Sequence, residues 1–352
     1  MDLLEQMRSH GHERIAFHQD PETGLKAIIA VHSTRLGNAL GGTRRWAYAS
    51  TNEAAMDVLR LSEGMTYKAA AADLPMGGAK SVIVLESPGQ QPTEAEGRAM
   101  GRFVETFGGA YIAAEDVGVS PQFCDWMALE TKHIMGGENV STGGDPSPWT
   151  ALGVFNSMKA CLEASGDGDF SGLTVGIQGC GATGFKLAKL CREAGAAVLV
   201  SDVHVPSMKR CVEELGCMAV GNDGNLFHEE LDVLAPCALG GVLGPDSIPT
   251  LRCRIICGTA NNQLVDPVRD GRALKDRGIC YAPDFVANAG GLIRLAGLYL
   301  GMTEAQIDAK VAGIEQTTHE VLKEALAAPS TAEAAIGFAK RRIDAVAAPA
   351  SA

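Results

Sequence analysis

Long basic runs are missing from this 352-residue chain. Its 30 Lys and Arg stand against 42 Asp and Glu, for a formal net charge of −12, and no Lys/Arg block forms a local exception. That balance argues against holding a phosphate backbone, so nucleic acid is not an expected partner. No uninterrupted apolar run approaches the roughly 18 residues of a membrane span. Met1-Asp2-Leu3-Leu4-Glu5 has neither the basic start nor the sustained apolar stretch of a signal peptide. A soluble, cytoplasmic protein with no membrane partner is the expectation. The ten cysteines include no Cys-x-x-Cys pair. In such a chain they read as reduced, small hydrophobes, Cys253 and Cys257 on their apolar run included. His10 and His12 have no cysteine or carboxylate constellation around them, so no metal is expected.

What is present suits an ordinary folded protein, with 46% hydrophobic and 20% charged residues. The length points to two domains. Arg14 to His18 and Leu25 to His32 read as strands of a hairpin joined by Asp20-Pro21-Glu22-Thr23-Gly24. The next apolar segment ends in Leu40-Gly41-Gly42-Thr43-Arg44-Arg45-Trp46. Its paired glycines permit close approach of backbone to a ligand, or equally a bulge or bend. Ser50-Thr51-Asn52-Glu53 is a capping box opening a long helix. Apolar positions at helical spacing run from Ala54 to Met65, and Lys68 follows on the same side. Asp73-Leu74-Pro75 ends that helix. Gly77-Gly78-Ala79-Lys80 is then expected to turn the chain into a buried strand, Ser81 to Leu85, with Lys80 at its mouth. A second helix begins at Thr93-Glu94-Ala95-Glu96. A short strand, Tyr111 to Ala114, delivers Glu115-Asp116 to its end, and another helix runs from Ser120-Pro121 towards Gly136-Gly137.

The second half carries a nucleotide signature. Ser141 to Pro148 is a turn-rich connector and Trp149 to Ala164 a helix. The strand Gly172 to Gln178 runs straight into Gly179-Cys180-Gly181-Ala182-Thr183-Gly184, which opens the helix Phe185 to Ala194. The following strand, Ala197 to Ser201, ends in Asp202. G-x-G-x-x-G between a strand and a helix, with an acid about 20 residues on, is the dinucleotide fingerprint. Gly179, Gly181 and Gly184 let backbone amides meet a pyrophosphate. Asp202 would hold a ribose hydroxyl and repel a 2′-phosphate, so NAD is the expected cofactor. Further strands at Met218 to Val220, Asp232 to Ala235, Arg254 to Cys257 and Ile279 to Tyr281 keep the cadence of a doubly wound parallel sheet. Their ends carry Ala238, Asn261 and Asn262 as candidate contacts. Helices are expected over Gly291 to Leu300, Thr303 to Ala328 and Thr331 to Ala347.

The expected architecture is therefore α/β in two parts. Residues 1–140, with the last helix (331–347) returning to pack on them, form a mixed-sheet domain. Residues 141–330 form a Rossmann domain. Lys68 and Lys80, twelve apart and beside glycines and apolar residues, are candidates for the chemistry. Burial and mutual repulsion lower a lysine's pKa towards general-base work, and a lysine also suits an anionic substrate group.

Leu40-Gly41-Gly42, Gly64-Met65-Thr66-Tyr67-Lys68, Gly77-Gly78-Ala79-Lys80, Ala114-Glu115-Asp116-Val117-Gly118, Ala260-Asn261-Asn262-Gln263 and Tyr281 to Asp284 with Asn288 to Gly291 follow in this order. So arranged, the chain resembles the glutamate/leucine/phenylalanine/valine dehydrogenase superfamily, and is most similar to the short-chain leucine, valine and phenylalanine dehydrogenases. The resemblance implies reversible NAD-dependent oxidative deamination of an L-amino acid to a 2-oxo acid and ammonia. It implies a substrate and oligomerisation domain, a cleft that closes between the domains, and a homo-oligomer, dimer or octamer. Lys68 matches the lysine that grips the substrate carboxylate, Lys80 the lysine that activates water, and Asp116 the carboxylate that exchanges a proton with the amino nitrogen. Gly41 and Asn262 match substrate contacts, with Met65 beside them. Asn261 and Ala238 fall on the cofactor side. The side-chain pocket falls on Leu40, Ala114, Leu292 and Leu295, all apolar and without a charge for a glutamate side chain; two leucines where relatives often have a smaller residue at one position favour a branched aliphatic substrate over an aromatic one. Arg294 stands where relatives tend to have a smaller polar residue.

Two other readings compete. A 2-hydroxy acid dehydrogenase would need a histidine acid/base at a strand end near the cofactor motif, and His204 is badly placed for it. A catalytically silent NAD-binding regulator is opposed by the joint presence of Lys68, Lys80 and Asp116.

Overall fold

The computed structural model describes residues 2–139, 144–221 and 225–346; residues 141–143 of the expected connector lie outside them. The chain forms two compact units. The first comprises Met1–Pro146, Arg294–Thr303 and Lys340–Ala352; the second comprises Ser147–Ile293 and Glu304–Ala339.

The first unit opens with helix α1 (Leu3–His10) and the hairpin β1 (Arg14–Asp20) and β2 (Leu25–Ser33). Next come β3 (Ala39–Trp46), α2 (Thr51–Ala71), β4 (Gly77–Val84), α3 (Glu94–Glu105), β5 (Tyr111–Glu115) and α4 (Pro121–Ala128). The five strands lie in the order β1-β2-β4-β3-β5. β1 and β4 run antiparallel to β2, while β3 is parallel to β4 and β5, so the sheet is mixed. Alternation explains why both faces of β2 are apolar. Ile28 and Ala30 meet Val82 of β4 and the Ala54, Ala55, Val58, Leu59 stripe of α2. Ala27, Ile29 and Val31 face the other way, into a core with Phe103 of α3 and Phe123 and Met127 of α4. Each such large aliphatic side chain contributes about 1.5–3 kcal/mol by leaving water.

Ser50 caps α2 as expected, its Oγ accepting from Glu53 N at 3.1 Å, while the returning Glu53 Oε2 accepts from Ala49 N at 2.7 Å, one residue before the cap's own amide. Its end differs in detail. Helical backbone stops at Ala71, and Asp73 takes a left-handed conformation (φ 51°) while Leu74 N donates to Ala69 O.

Two local expectations are corrected. Gly77-Gly78-Ala79-Lys80 is no turn: it is the first half of β4, and Lys80 sits inside a central strand. The glycines are needed for packing. A Cβ at Gly77 would strike the Ser33 and Gly37 carbonyls, and one at Gly78 would strike the Thr66 backbone of α2. The helix after Ser120-Pro121 ends at Ala128, well before Gly136. From there the chain runs back beside β5, with Ala113 bridged to Ile134.

The second unit holds α5 (Ser147–Ala164), β6 (Thr174–Gln178), α6 (Ala182–Glu193), β7 (Ala197–Ser201), α7 (Val205–Leu215), β8 (Met218–Ala219), β9 (Leu231–Pro236), β10 (Cys253–Ile256), α8 (Pro267–Asp276), β11 (Cys280–Tyr281) and α9 (Asp284–Ala287). All six strands are parallel, in the order β11-β10-β9-β6-β7-β8. This is the doubly wound dinucleotide-binding topology, with its switch point at β6 and β9. α10 (Gly290–Tyr299) has residues in both units. The expected single helix over 303–328 is two, α11 (Glu304–Ala312) and α12 (Ile314–Ala325), interrupted at Gly313. α13 (Thr331–Ala345) lies in the second unit until Ala339 and in the first from Lys340. No described helix is long and apolar enough to cross a membrane.

Candidate active site

Register assembles the first unit's polar cluster. Leu40 of β3 pairs with Gly78 of β4 and Ile112 of β5, and Gly42 pairs with Ala114. Side chains two apart share a face, so Leu40, Gly42, Arg44, Gly78, Lys80, Val82, Ala114 and, just past the end of β5, Asp116 belong to one side of the sheet. That side is the one α2 covers. Thr66 of α2 touches Gly78, so the turn that carries half-buried Lys68 stands over the part of β4 that carries Lys80.

Lys80 is 5% exposed, and its Nζ lies 3.1 Å from Asp116 Oδ2. The same oxygen accepts from Arg44 Nε at 2.9 Å. Arg44 Nη1 reaches Asp57 Oδ2 of α2 at 3.0 Å, and Tyr48 Oη donates to that oxygen at 2.8 Å. Gly42 has to be small: a Cβ there would fall on the Glu115 carbonyl and 2.8 Å from Asp116 Cβ. Gly41 has to be small as well, since a Cβ would strike the Ala79 carbonyl. Its own carbonyl accepts from Tyr111 Oη at 2.9 Å, and a Ser81–Thr43 hydroxyl pair continues that bonded group.

Burial pushes the Lys80 ammonium below the ordinary lysine range; Asp116 opposes this and Arg44 reinforces it. Burial works to raise the Asp116 carboxyl, but the Lys80 and Arg44 charges outweigh it and hold the group below the usual carboxylate range. The cluster thus pairs a firmly ionised carboxylate with a lysine biased towards losing its proton. Its neighbour Glu115 goes the other way: burial first, then the charges of Asp145 and Glu138, push it up to about 7.

Of the residues singled out from sequence, Leu40, Gly41, Met65, Lys68, Lys80, Ala114 and Asp116 are in the first unit, around α2 and the sheet face beneath it. Leu40 and Ala114 are buried, Met65 half-buried. Leu292 and Leu295 are both buried in α10, the former in the second unit and the latter, like Arg294, in the first. Arg44 and Asp57 escaped the sequence reading. Parity puts Arg44 on the face of Gly42, but only the β3–β4 register joins that face to Lys80.

The second unit holds the glycine-rich turn. Gly179 adopts φ 100°, open to few residues but glycine, and lies so close to Ala238 that a Cβ would be 2.7 Å from the Ala238 amide nitrogen. Gly184 packs against the Gly179 carbonyl. Gly181, the N-cap of α6, has open space where a side chain would be. Asp202 closes the turn: Oδ2 accepts from Cys180 N at 2.6 Å and Oδ1 from His204 N at 2.7 Å. Tight turn, open cradle at a helix N-terminus and anchored carboxylate together fit a nicotinamide dinucleotide. At the end of β10, Asn261 Oδ1 accepts from Asn288 Nδ2 at 2.8 Å, and Asn262 takes φ 51°, one of two left-handed non-glycine residues among those described.

The histidines near the N-terminus are engaged in the fold. His10 Nδ1 lies 3.1 Å from Glu63 Oε2, and His12 Nε2 2.9 Å from Leu59 O. A Glu163–Glu315–His319 group on α5 and α12 has the spacing of metal ligands. Its members already have partners, His319 with Glu163 at 3.0 Å and Glu315 with Lys159 at 3.7 Å.

Comparison with known proteins adds to this geometry. Residues 12–133 match the family model described as Glu/Leu/Phe/Val dehydrogenase, dimerisation domain, and residues 204–335 match that of Glutamate/Leucine/Phenylalanine/Valine dehydrogenase. The chain is 43% identical to a leucine dehydrogenase of Thermoactinomyces intermedius, over 89% of this chain and 86% of that one. It is also 43% identical, with the same coverage, to a phenylalanine dehydrogenase of the same organism. Among solved structures, the L-tryptophan dehydrogenase from Nostoc punctiforme aligns with a TM-score of 0.83 and 36% identity, over 97% of this chain and 99% of that one.

Proposed function

The chain belongs to the Glu/Leu/Phe/Val dehydrogenase family and is an amino acid dehydrogenase using a nicotinamide cofactor, and we propose that it catalyses reversible NAD-dependent oxidative deamination of a branched-chain L-amino acid. The observation that carries this reading is the buried Lys80–Asp116–Arg44 cluster on the sheet face beneath the lysine-bearing end of α2. NAD is supported over NADP by Asp202, whose fixed negative charge sits beside the cradle. A homo-oligomer is supported by the dimerisation-domain description of the first matched model.

In the overall reaction, amino acid, NAD+ and water become 2-oxo acid, ammonium, NADH and a proton. Lys68 holds the substrate carboxylate and so fixes the α-carbon. Asp116 exchanges a proton with the amino nitrogen; NAD, held by Gly179, Gly181, Gly184 and Asp202, would supply the acceptor for the hydride of the α-carbon. Neutral Lys80 then takes a proton from water as its oxygen attacks the imine carbon; as ammonium, it steadies the oxygen on that carbon. Carbon–nitrogen cleavage follows, Asp116 returning a proton to the departing amine. Water exclusion is favoured by burial of the whole cluster. Leu40, Ala114 and Leu295 of the first unit offer no charge to a substrate side chain, nor does Leu292 of the second, which supports an apolar one; Gly41 and Asn262 are assigned to the polar groups of the substrate.

Equal identity to a leucine and a phenylalanine enzyme leaves side-chain preference to these apolar residues. NADH formation with a panel of L-amino acids at alkaline pH tests the reading. Turnover with leucine and valine, weaker turnover with phenylalanine and none with glutamate is expected. A preference for phenylalanine or tryptophan would overturn the aliphatic assignment, and silence with every amino acid would overturn the function.

A further inference from the structure

Arg44 is the charged residue of this cluster to which the proposed reaction gives no part. Its guanidinium spans two carboxylates from different elements: Nε to Asp116 Oδ2 at 2.9 Å and Nη1 to Asp57 Oδ2 at 3.0 Å. Arg44 and Asp116 are mostly buried, with side chains 19% and 13% exposed, so these charges act through protein more than through water. Tyr48 Oη donates to the same Asp57 oxygen as Arg44, and Arg60 Nη2 reaches the other, Oδ1, at 3.0 Å. Planar arginine can bridge two acids in this way; a lysine, as a single point of charge, cannot.

We propose that Arg44 is a positioning residue of the deamination, balancing the charge of Asp116 so that Lys80 is held ready in its neutral form to take the proton of the attacking water. The charged groups acting on Lys80 are Asp116 beyond β5, Arg44 on β3 and Asp57 on α2; its β2 partner, Ala30, brings none. Without Arg44, Lys80 would share its surroundings with two carboxylates, Asp116 and Asp57. A buried lysine so placed keeps its proton, because the ion pair outweighs the burial that drives it off. With Arg44 in place, Asp116 has a permanent cation on the oxygen that also meets Lys80, and proton loss from Lys80 leaves no buried carboxylate unpaired. The shift in Lys80 supports this, since the arginine charge acts on it in the same direction as burial. The inference rests on the dehydrogenase reading for its functional consequence, but not for its physical content.

The test therefore has two readouts on the full-length protein. The first is titration of the Lys80 side chain by NMR in protein labelled with [ε-13C]lysine, the resonance assigned with Lys80→Ala. The second is the pH profile of kcat/KM for NAD reduction with L-leucine. Arg44→Gln should raise the Lys80 pKa by about one unit or more. It should move the acid-side limb of the kcat/KM profile upward by the same amount, a loss of about tenfold or more at a fixed pH below the limb. Arg44→Lys should recover part of that shift. Asp57→Asn, which removes a negative charge without touching Asp116, should move Lys80 downward and keeps the proposal testable if Arg44→Gln fails to fold. Unchanged Lys80 titration in a folded Arg44→Gln protein, or shifts of one sign in both the Arg44 and Asp57 variants, would overturn the proposal. If the wild type reduces no NAD with any amino acid, the reaction is wrong, and the NMR titration still decides whether Arg44 sets the state of Lys80.

Discussion

At the residue scale, one aspartate oxygen shared by two cations separates fold from chemistry. Lys80→Ala removes one cation from Asp116 but leaves Arg44 at 2.9 Å, so the buried carboxylate keeps a partner. Breaking a buried pair outright costs about 3–5 kcal/mol; keeping the arginine spares most of that. We therefore expect Lys80→Ala to retain its thermal midpoint and its NAD affinity, both measurable by calorimetry, while turnover falls by about a thousandfold or more, the scale of removing a base that acts in several steps. Lys68→Ala should act differently. Lys68 is half-buried in the last turn of α2 and is assigned to binding, so its loss should raise KM for the amino acid well above its effect on kcat. Wild-type KM in that variant would refute the carboxylate role.

At the element scale, β5 shows how a strand end sorts two adjacent acids. Asp116 turns to the cations of the α2-covered face, whereas Glu115 lies against Gly136, with Asp145 and Glu138 among the charges that act on it. Folding raises Glu115 to about 7. A group raised in the fold contributes stability that is full below its unfolded pKa and lost as pH climbs through the folded one. Glu115→Gln should thus match the wild type near pH 4.5 and become the more stable protein by roughly 1–2 kcal/mol above pH 7, solvent screening included. Thermal midpoints across that range would show the difference; a constant gap at all pH values would contradict the assignment. Legibility in the sequence follows the same division between local and non-local causes. The cap at Ser50, the hairpin turn before Leu25 and the Gly179 turn were readable because neighbouring residues determine them. Gly77-Gly78 misled because what demands glycine there, the Thr66 backbone and the Ser33 carbonyl, comes from elsewhere in the chain. Arg44 stayed hidden for the same reason, since Asp57 and Asp116 lie 13 and 72 residues away.

At the scale of the whole molecule, chain order and unit membership part company. The chain returns to the first unit twice, as Arg294–Thr303 and again from Lys340. The second return has an identifiable task. Arg342 Nη1 donates to the Ala70 and Ala71 carbonyls at 3.2 and 2.9 Å, two of the last carbonyls of α2, of which that of Ala70 also accepts from Asp73 N at 3.1 Å. Arg35 of the first unit in turn donates to the Asp344 and Val346 carbonyls, tying the segment down. The end of α2 so capped is the turn that carries Lys68. Sequence close to the C-terminus therefore holds a residue of the candidate site in place more than 270 positions upstream. A lost cap of this kind costs about 0.5–2 kcal/mol. If part of that cost falls on the Lys68 turn, Arg342→Ala should raise the amino acid KM by about fivefold, 1 kcal/mol being close to that factor. The KM for NAD should not move, because the Gly179 turn and Asp202 belong to the second unit. Equal changes in both constants would mean that Arg342 supports the fold at large, and no change in either would mean that the α2 terminus is held by other groups.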